Sequence, residues 1–146
     1  IPKIIEKLEV VKQSTDLCAP VFNQFIAARY IEKGYYDKNI ERIKINYRNK
    51  RDNMIAAFEK YMPEGVTWTN PEGGLFLFVT LPEGYDATEL FRIALQEDVA
   101  FVIGEAFHCD GSGKNTLRIN FSFMEESRAE EGVRRLADAI KKLMKG

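Results

Sequence analysis

The run Leu117-Arg118-Ile119-Asn120-Phe121-Ser122-Phe123 holds the residue with the clearest chemical use. Leu117, Ile119, Phe121 and Phe123 alternate with Arg118, Asn120 and Ser122, so a strand here would put the apolar set on one face and the polar set on the other. A guanidinium offers a planar fork of donors that can hold a carboxylate or a phosphate by two bonds at once. Alternation alone also fits a polar face turned to water, the commoner case for a half-buried strand.

Other candidate chemistry is thin. His108 is the only histidine, and Cys109 and Asp110 beside it are too close in sequence to converge on one metal. No partner residue marks a Ser/His/Asp or Cys/His nucleophilic set. Asp110-Gly111-Ser112-Gly113-Lys114 lacks the spacing of a phosphate loop and precedes a strand, not a helix, so it is expected to be a surface loop. Gly73-Gly74 before Leu75, and Gly104 after Val99–Ile103, suggest positions where backbone conformation or close approach excludes a side chain. For the double glycine, spacing alone favours an ordinary hairpin turn. By these residues alone the chain carries no complete catalytic set.

Bulk properties narrow the partners. The 146 residues carry 21 basic and 22 acidic side chains, a net charge of −1, which gives no general attraction to nucleic acid or to an anionic membrane. No apolar run approaches the ~20 residues needed to cross a bilayer. Cys18 and Cys109 form no ligand spacing and suit free thiols in a reducing cytoplasm. The mixed charges of Lys38–Lys60 are expected to form a solvated helix face. The chain opens Ile1-Pro2-Lys3 without an initiator Met, as expected of one that is processed, trimmed or cut from something longer.

The elements that would position these residues follow from periodicity. Residues 1–12 and Val21–Lys33 have helical patterns, the second stopped at Gly34. Asp37 is the expected N-cap of a long helix reaching about Met62, with Ile40, Ile43, Tyr47, Met54, Phe58 and Tyr61 on one stripe. Val66–Thr69 is β-prone. Leu75–Leu81 is a strand candidate apolar at every position from Leu75 to Val79, as expected when both faces are covered. Asp86 and Glu89 form a possible capping box, with Tyr85 stapling Leu90, ahead of a helix that buries Leu90, Phe91, Ala94 and Leu95. Val99–Ile103 and Asn115–Phe123 are further strands. A last helix from about Glu126 to Lys145 turns Val133, Leu136, Ala137, Ile140, Leu143 and Met144 inward. The order predicts an α+β fold, a small, mostly antiparallel sheet of three or four strands packed with helices that include one long helix on the N-terminal side.

Three segments together resemble the C-terminal part of class I/II, fold-type I aminotransferases that depend on pyridoxal 5'-phosphate. Asn70-Pro71-Glu72-Gly73-Gly74-Leu75-Phe76 resembles the family's P-x-G-G-hydrophobic-Phe strand. Val99 to Phe107 resembles V-x-hydrophobic-x-P-G-x-x-F, and Asn115 to Ser122 resembles L-R-hydrophobic-x-F/Y. The likeness is to the 2-aminoadipate and aromatic aminotransferase-like subgroup, whose linker Lys12–Asp16 and Pro20–Gln24 also resemble. One departure is Ile103, where the family usually has proline; it puts the loop that follows in question.

The resemblance implies transfer of an amino group between an amino acid and a 2-oxo acid, with Arg118 binding the substrate α-carboxylate. It implies that residues 1–30 trail from the large cofactor-binding domain and that residues 31–146 form the small domain. The Schiff-base lysine and the phosphate-binding groups would then lie outside this chain, which alone should be inactive. It also implies a cytoplasmic homodimer for the full-length protein. An aminotransferase-like effector domain of a transcriptional regulator, and a related pyridoxal-phosphate lyase or synthase, are the alternatives it leaves open.

Overall fold

The computed structural model describes residues 1–145 and contains five helices and one four-stranded antiparallel sheet. The chain divides into two compact units, Ile1–Lys44 and Ile45–Gly146. The first holds α1 (Pro2–Thr15), α2 (Val21–Glu32) and the start of α3 (Tyr35–Tyr61). Gly34 (φ +69°) breaks the chain between α2 and α3, as a residue free of a Cβ can. The long helix begins at Tyr35, so Asp37 lies inside its first turn and is not its N-cap; there its charge still complements the helix dipole.

The second unit carries the core. Its elements are the remainder of α3, β1 (Thr67–Trp68), β2 (Phe76–Thr80), α4 (Ala87–Gln96), β3 (Val102–Ile103), β4 (Thr116–Asn120) and α5 (Glu126–Lys145), with a 3-10 helix at Gly104–Phe107. The sheet order is β1-β2-β4-β3. β4 is therefore internal, and Arg118 faces Phe78 across one ladder and Val102 across the other.

One face of this sheet is buried. Leu77, Val79 and Leu117 pack with Met54 and Phe58 of α3, Leu90 and Ala94 of α4, and Val133, Leu136 and Ile140 of α5. The apolar stripe of α5 falls at helical spacing as its sequence predicts, with Leu143 and Met144 packed at its margin. On α4 the expected stripe is narrower. Leu90 and Ala94 are buried, but Leu95 is half exposed and Ala87 takes a buried place instead. The Asp86 carboxylate accepts from the Thr88 amide at 2.6 Å, a true N-cap.

The ends of the strands differ from the hydropathy pattern, for local reasons. Val99–Ile103 pairs only at Val102 and Ile103. Ahead of it α4 closes through Val99 N–H donating to Ala94 O and Asp98 N–H donating to Leu95 O, with Asp98 at φ +58°. Phe101 is then pinned edge-on against Phe91, ring centroids 5.3 Å apart. β4 stops at Asn120, because its Oδ1 accepts from the Ser122 and Phe123 amides and the Ser122 hydroxyl, folding the chain into an Asx turn. Ser122 is thus off the strand face, and Phe123 is 80% exposed, not part of the apolar side.

Candidate functional site

The outer face of the sheet, opposite the core, is where Arg118 lies. Directly opposed residues share a face of a sheet. The register therefore groups Arg118 with Phe78 and Val102, and groups Phe76 with Asn120 and Thr80 with Thr116. β2 buries Leu77 and Val79 while Phe76 remains 38% exposed. An unbroken apolar run suggested a strand covered on both sides; among the described residues only one side is covered.

Arg118 sits among aromatic rings. Its Cζ lies 4.0 Å from the ring centroid of Phe76 and 4.3 Å from that of Phe107. Each such contact contributes about 0.5–1 kcal/mol at a partly exposed site. Among the described residues no carboxylate pairs with Arg118, and its Nε is buried without a hydrogen-bond partner. A buried donor left unmatched costs on the order of 1–3 kcal/mol, so this one calls for an acceptor. Rings hold the guanidinium while its donors stay unclaimed. An anion with two oxygens matches that arrangement.

Phe107 reaches Arg118 through the turn after β3. Ile103 has φ −62° and ψ 130°, the φ that a proline ring would impose, so the chain follows the expected course without proline. Gly104 comes next and touches β4. A Cβ there would lie 2.0 Å from Thr116 Oγ1 and 2.7 Å from the Thr116 carbonyl carbon and oxygen. Close approach demands glycine at this position. Of the double glycine, only Gly74 is conformationally required, at φ +82°; a Cβ on Gly73 would meet nothing within 4 Å.

α3 touches the end of this ladder. Lys50 Nζ donates to the carbonyls of Ser122 and Phe123 at 2.9 and 3.2 Å, and Arg51 Nη1 donates to Pro71 O at 3.0 Å. Sequence reasoning placed both on a solvated face, because mixed charge along a helix does not disclose a carbonyl waiting beside it. Asp52 holds the Arg51 guanidinium through Nε and Nη2 at 2.8 and 2.6 Å.

The loop after Phe107 is organised by its own side chains. Ser112 Oγ donates to Asp110 Oδ1 at 2.6 Å and lies 3.0 Å from His108 Nδ1. The hydroxyl proton is committed to the carboxylate and not to the imidazole, so the trio is not a nucleophile with its base. The Ser112 hydroxyl and amide hold the Asp110 carboxyl below its usual range. Cys18 and Cys109 are free and exposed. Among the described residues no helix is long and apolar enough to cross a membrane.

The family profile for "Aminotransferase class I and II" matches residues 5–136. Aromatic-amino-acid aminotransferase 1 of Thermococcus litoralis is 49% identical over 99% of this chain and 34% of its own length. The crystal structure of LysN, an α-aminoadipate aminotransferase from Thermus thermophilus complexed with N-(5'-phosphopyridoxyl)-L-leucine, superimposes with a TM-score of 0.90. It is 39% identical, over 99% of this chain and 37% of that one. More distant is YisV, an uncharacterised helix-turn-helix transcriptional regulator of Bacillus subtilis, 26% identical over 97% of this chain and 29% of its own length. The chain spans about a third of the length of the relatives it matches.

Proposed function

The chain belongs to the class I and II aminotransferases, and on that premise we propose that it supplies the substrate-carboxylate site of a pyridoxal-phosphate-dependent transaminase, with Arg118 holding the carboxylate. The observation that carries the reading is a guanidinium held but not satisfied: two rings lie against it and its Nε has no acceptor. An amino acid and its 2-oxo acid partner share one feature, the α-carboxylate, so a fixed arginine serves both halves of an amino-group transfer.

The donor set of this face does not fit the cofactor itself. Arg118, Asn120, Phe76, Phe78, Thr80, Val102 and Thr116 include no amine to bond the pyridoxal aldehyde and no carboxylate for its ring nitrogen. Pyridoxal phosphate is therefore assigned to the remaining two-thirds of the protein, and the chain alone is inactive in this reading. Residues 1–30 then belong to the trailing edge of the cofactor-binding domain and 31–146 to the small domain. The family likeness supports a homodimer, and two exposed free thiols fit a cytoplasmic setting.

The likeness to YisV supports a second reading, an effector domain behind a DNA-binding segment. The higher identity to an aromatic aminotransferase, 49% against 26%, favours the enzyme. A winged-helix segment at the start of the full-length protein would decide for the regulator.

The test is Arg118→Ala in the full-length protein. A hydrogen-bonded charge contributes about 1.5–3 kcal/mol, so KM for amino acid and 2-oxo acid should both rise about ten- to hundred-fold. The visible absorbance of bound cofactor should be unchanged. Loss of cofactor, or an unaltered KM, would show that Arg118 has another role.

A further inference from the structure

We infer that Lys50 and Arg51 of α3 are positioning residues for the Arg118 site, holding from one helix turn both chain segments that meet at its rim. The inference rests on reading Arg118 as the carboxylate holder and goes beyond it by naming what fixes that holder in place.

The geometry is a bracket around the end of the β2–β4 ladder. Phe76 pairs with Asn120 there, and one step further the Phe121 amide donates to Leu75 O at 3.1 Å. Two irregular segments leave this point. The 70–75 loop runs into Phe76, whose ring lies against Arg118. The Asx turn of Asn120 leads β4 away two residues after Arg118. Between Leu75 and Thr69, whose amide and hydroxyl bond Phe78, no ladder bond among the described residues holds the loop, and none holds the turn beyond Phe121.

Each neighbouring cation takes one segment. Arg51 donates to Pro71 O, five residues ahead of Phe76 in a loop that turns at Gly74 in the left-handed region. Lys50 donates to two successive carbonyls, Ser122 and Phe123, just past the Asx turn. Arg51 is itself oriented by Asp52, and its side chain is only 20% exposed. Surface cations usually meet water or exposed carboxylates, with small effect. These two reach main-chain carbonyls on segments about 20 and 70 residues away in sequence, which fixes backbone and not merely charge.

The experiment uses the full-length protein, with Lys50→Met, Arg51→Met and the double variant, and Arg118→Lys as reference. A slightly displaced clamp should lose part of the about 1.5–3 kcal/mol that a hydrogen bond to a charged group contributes, raising KM for both substrates about three- to ten-fold. kcat at saturation should stay within about two-fold, since the reacting centre is untouched. Lys50→Arg and Arg51→Lys, which keep a long donor, should restore most of the KM. If the methionine variants do not fold, Lys50→Gln and Arg51→Gln should show the same KM-against-kcat split at smaller amplitude. A lowered Tm with KM unchanged would overturn the inference and leave the two residues as fold stabilisers. Should Arg118→Lys itself leave KM unchanged, the carboxylate reading fails and takes this inference with it. A raised KM for Arg118→Lys beside a normal double variant removes the inference alone.

Discussion

Phe107 meets Phe78 edge-on, ring centroids 5.5 Å apart at 78°, and so comes to Arg118 with its own orientation already fixed. The two rings belong to different elements, a 3-10 turn and a strand, and their contact ties the turn after β3 to the outer face of the sheet.

Replacing Phe107 by alanine removes one cation–π contact and one edge-to-face contact, about 1–2.5 kcal/mol together. Both contacts exist before a substrate arrives and Phe107 is 44% exposed, so their loss should lower stability modestly, while the freed guanidinium should bind substrate less well. Steady-state kinetics on full-length Phe107→Ala should show KM raised about five-fold or more, with Tm lowered by only a few degrees. Phe107→Tyr, which keeps the ring, should behave as wild type.

The two glycine neighbourhoods should separate cleanly. Gly104→Ala forces a Cβ into the Thr116 backbone and should cost about 1–3 kcal/mol, measured by urea denaturation. Gly73→Ala adds its Cβ to open space and should change stability by no more than about 0.5 kcal/mol. Equal effects would mean that β3 and β4 do not approach as closely as described.

Adjacent residues of β2 should differ as sharply. Leu77 is fully buried in the core and Leu77→Ala should cost about 2–5 kcal/mol. Phe76→Ala, though it removes a larger side chain, should cost about 1 kcal/mol or less, because its ring lies on the open face. A large cost at Phe76 would show that this face is closed.

Glu131 gives a pH signature. Hydrogen bonds from Arg134 and then Arg135 depress its carboxyl from 4.5 to about 2. A carboxylate whose pKa is lowered on folding stabilises fully above its unfolded value and loses that contribution as pH falls through the folded one. The stability gap between wild type and Glu131→Gln should therefore be present above about pH 4.5 and vanish by about pH 2. Its side chain is 42% exposed, so added salt should shrink the gap at neutral pH.

Periodicity made much of the second unit legible. The stripe of α5 and the burial of Leu77, Val79 and Leu117 follow directly from spacing, because a core selects residues on one face at the period of the element. Asn120 shows where that logic stops. Its side chain turns the chain out of the sheet, and hydropathy cannot register a side chain that competes with the ladder for backbone amides. Leu95 falls on a helical stripe yet lies outside the contact, since spacing marks a direction around α4 and not how far the neighbouring helix extends. Arg118 was identifiable as a candidate from its strand and its motif. Its partners were not. Phe107 reaches it from a 3-10 turn, and Lys50 and Arg51 bond not Arg118 but the chain segments beside it, from a turn and a helix whose positions relative to β4 are set by tertiary packing.

The double pairing of β4, with Phe78 on one side of Arg118 and Val102 on the other, has a thermodynamic consequence for binding. The main chain beneath the guanidinium has neighbours in both ladders and no free edge to flex toward a ligand. In the proposed carboxylate-binding role, adjustment to the anion would fall to the arginine side-chain torsions, already narrowed by two rings. The ordering entropy of the backbone, roughly 1–2 kcal/mol per residue fixed, is lost when the protein folds and is not lost again when a carboxylate arrives.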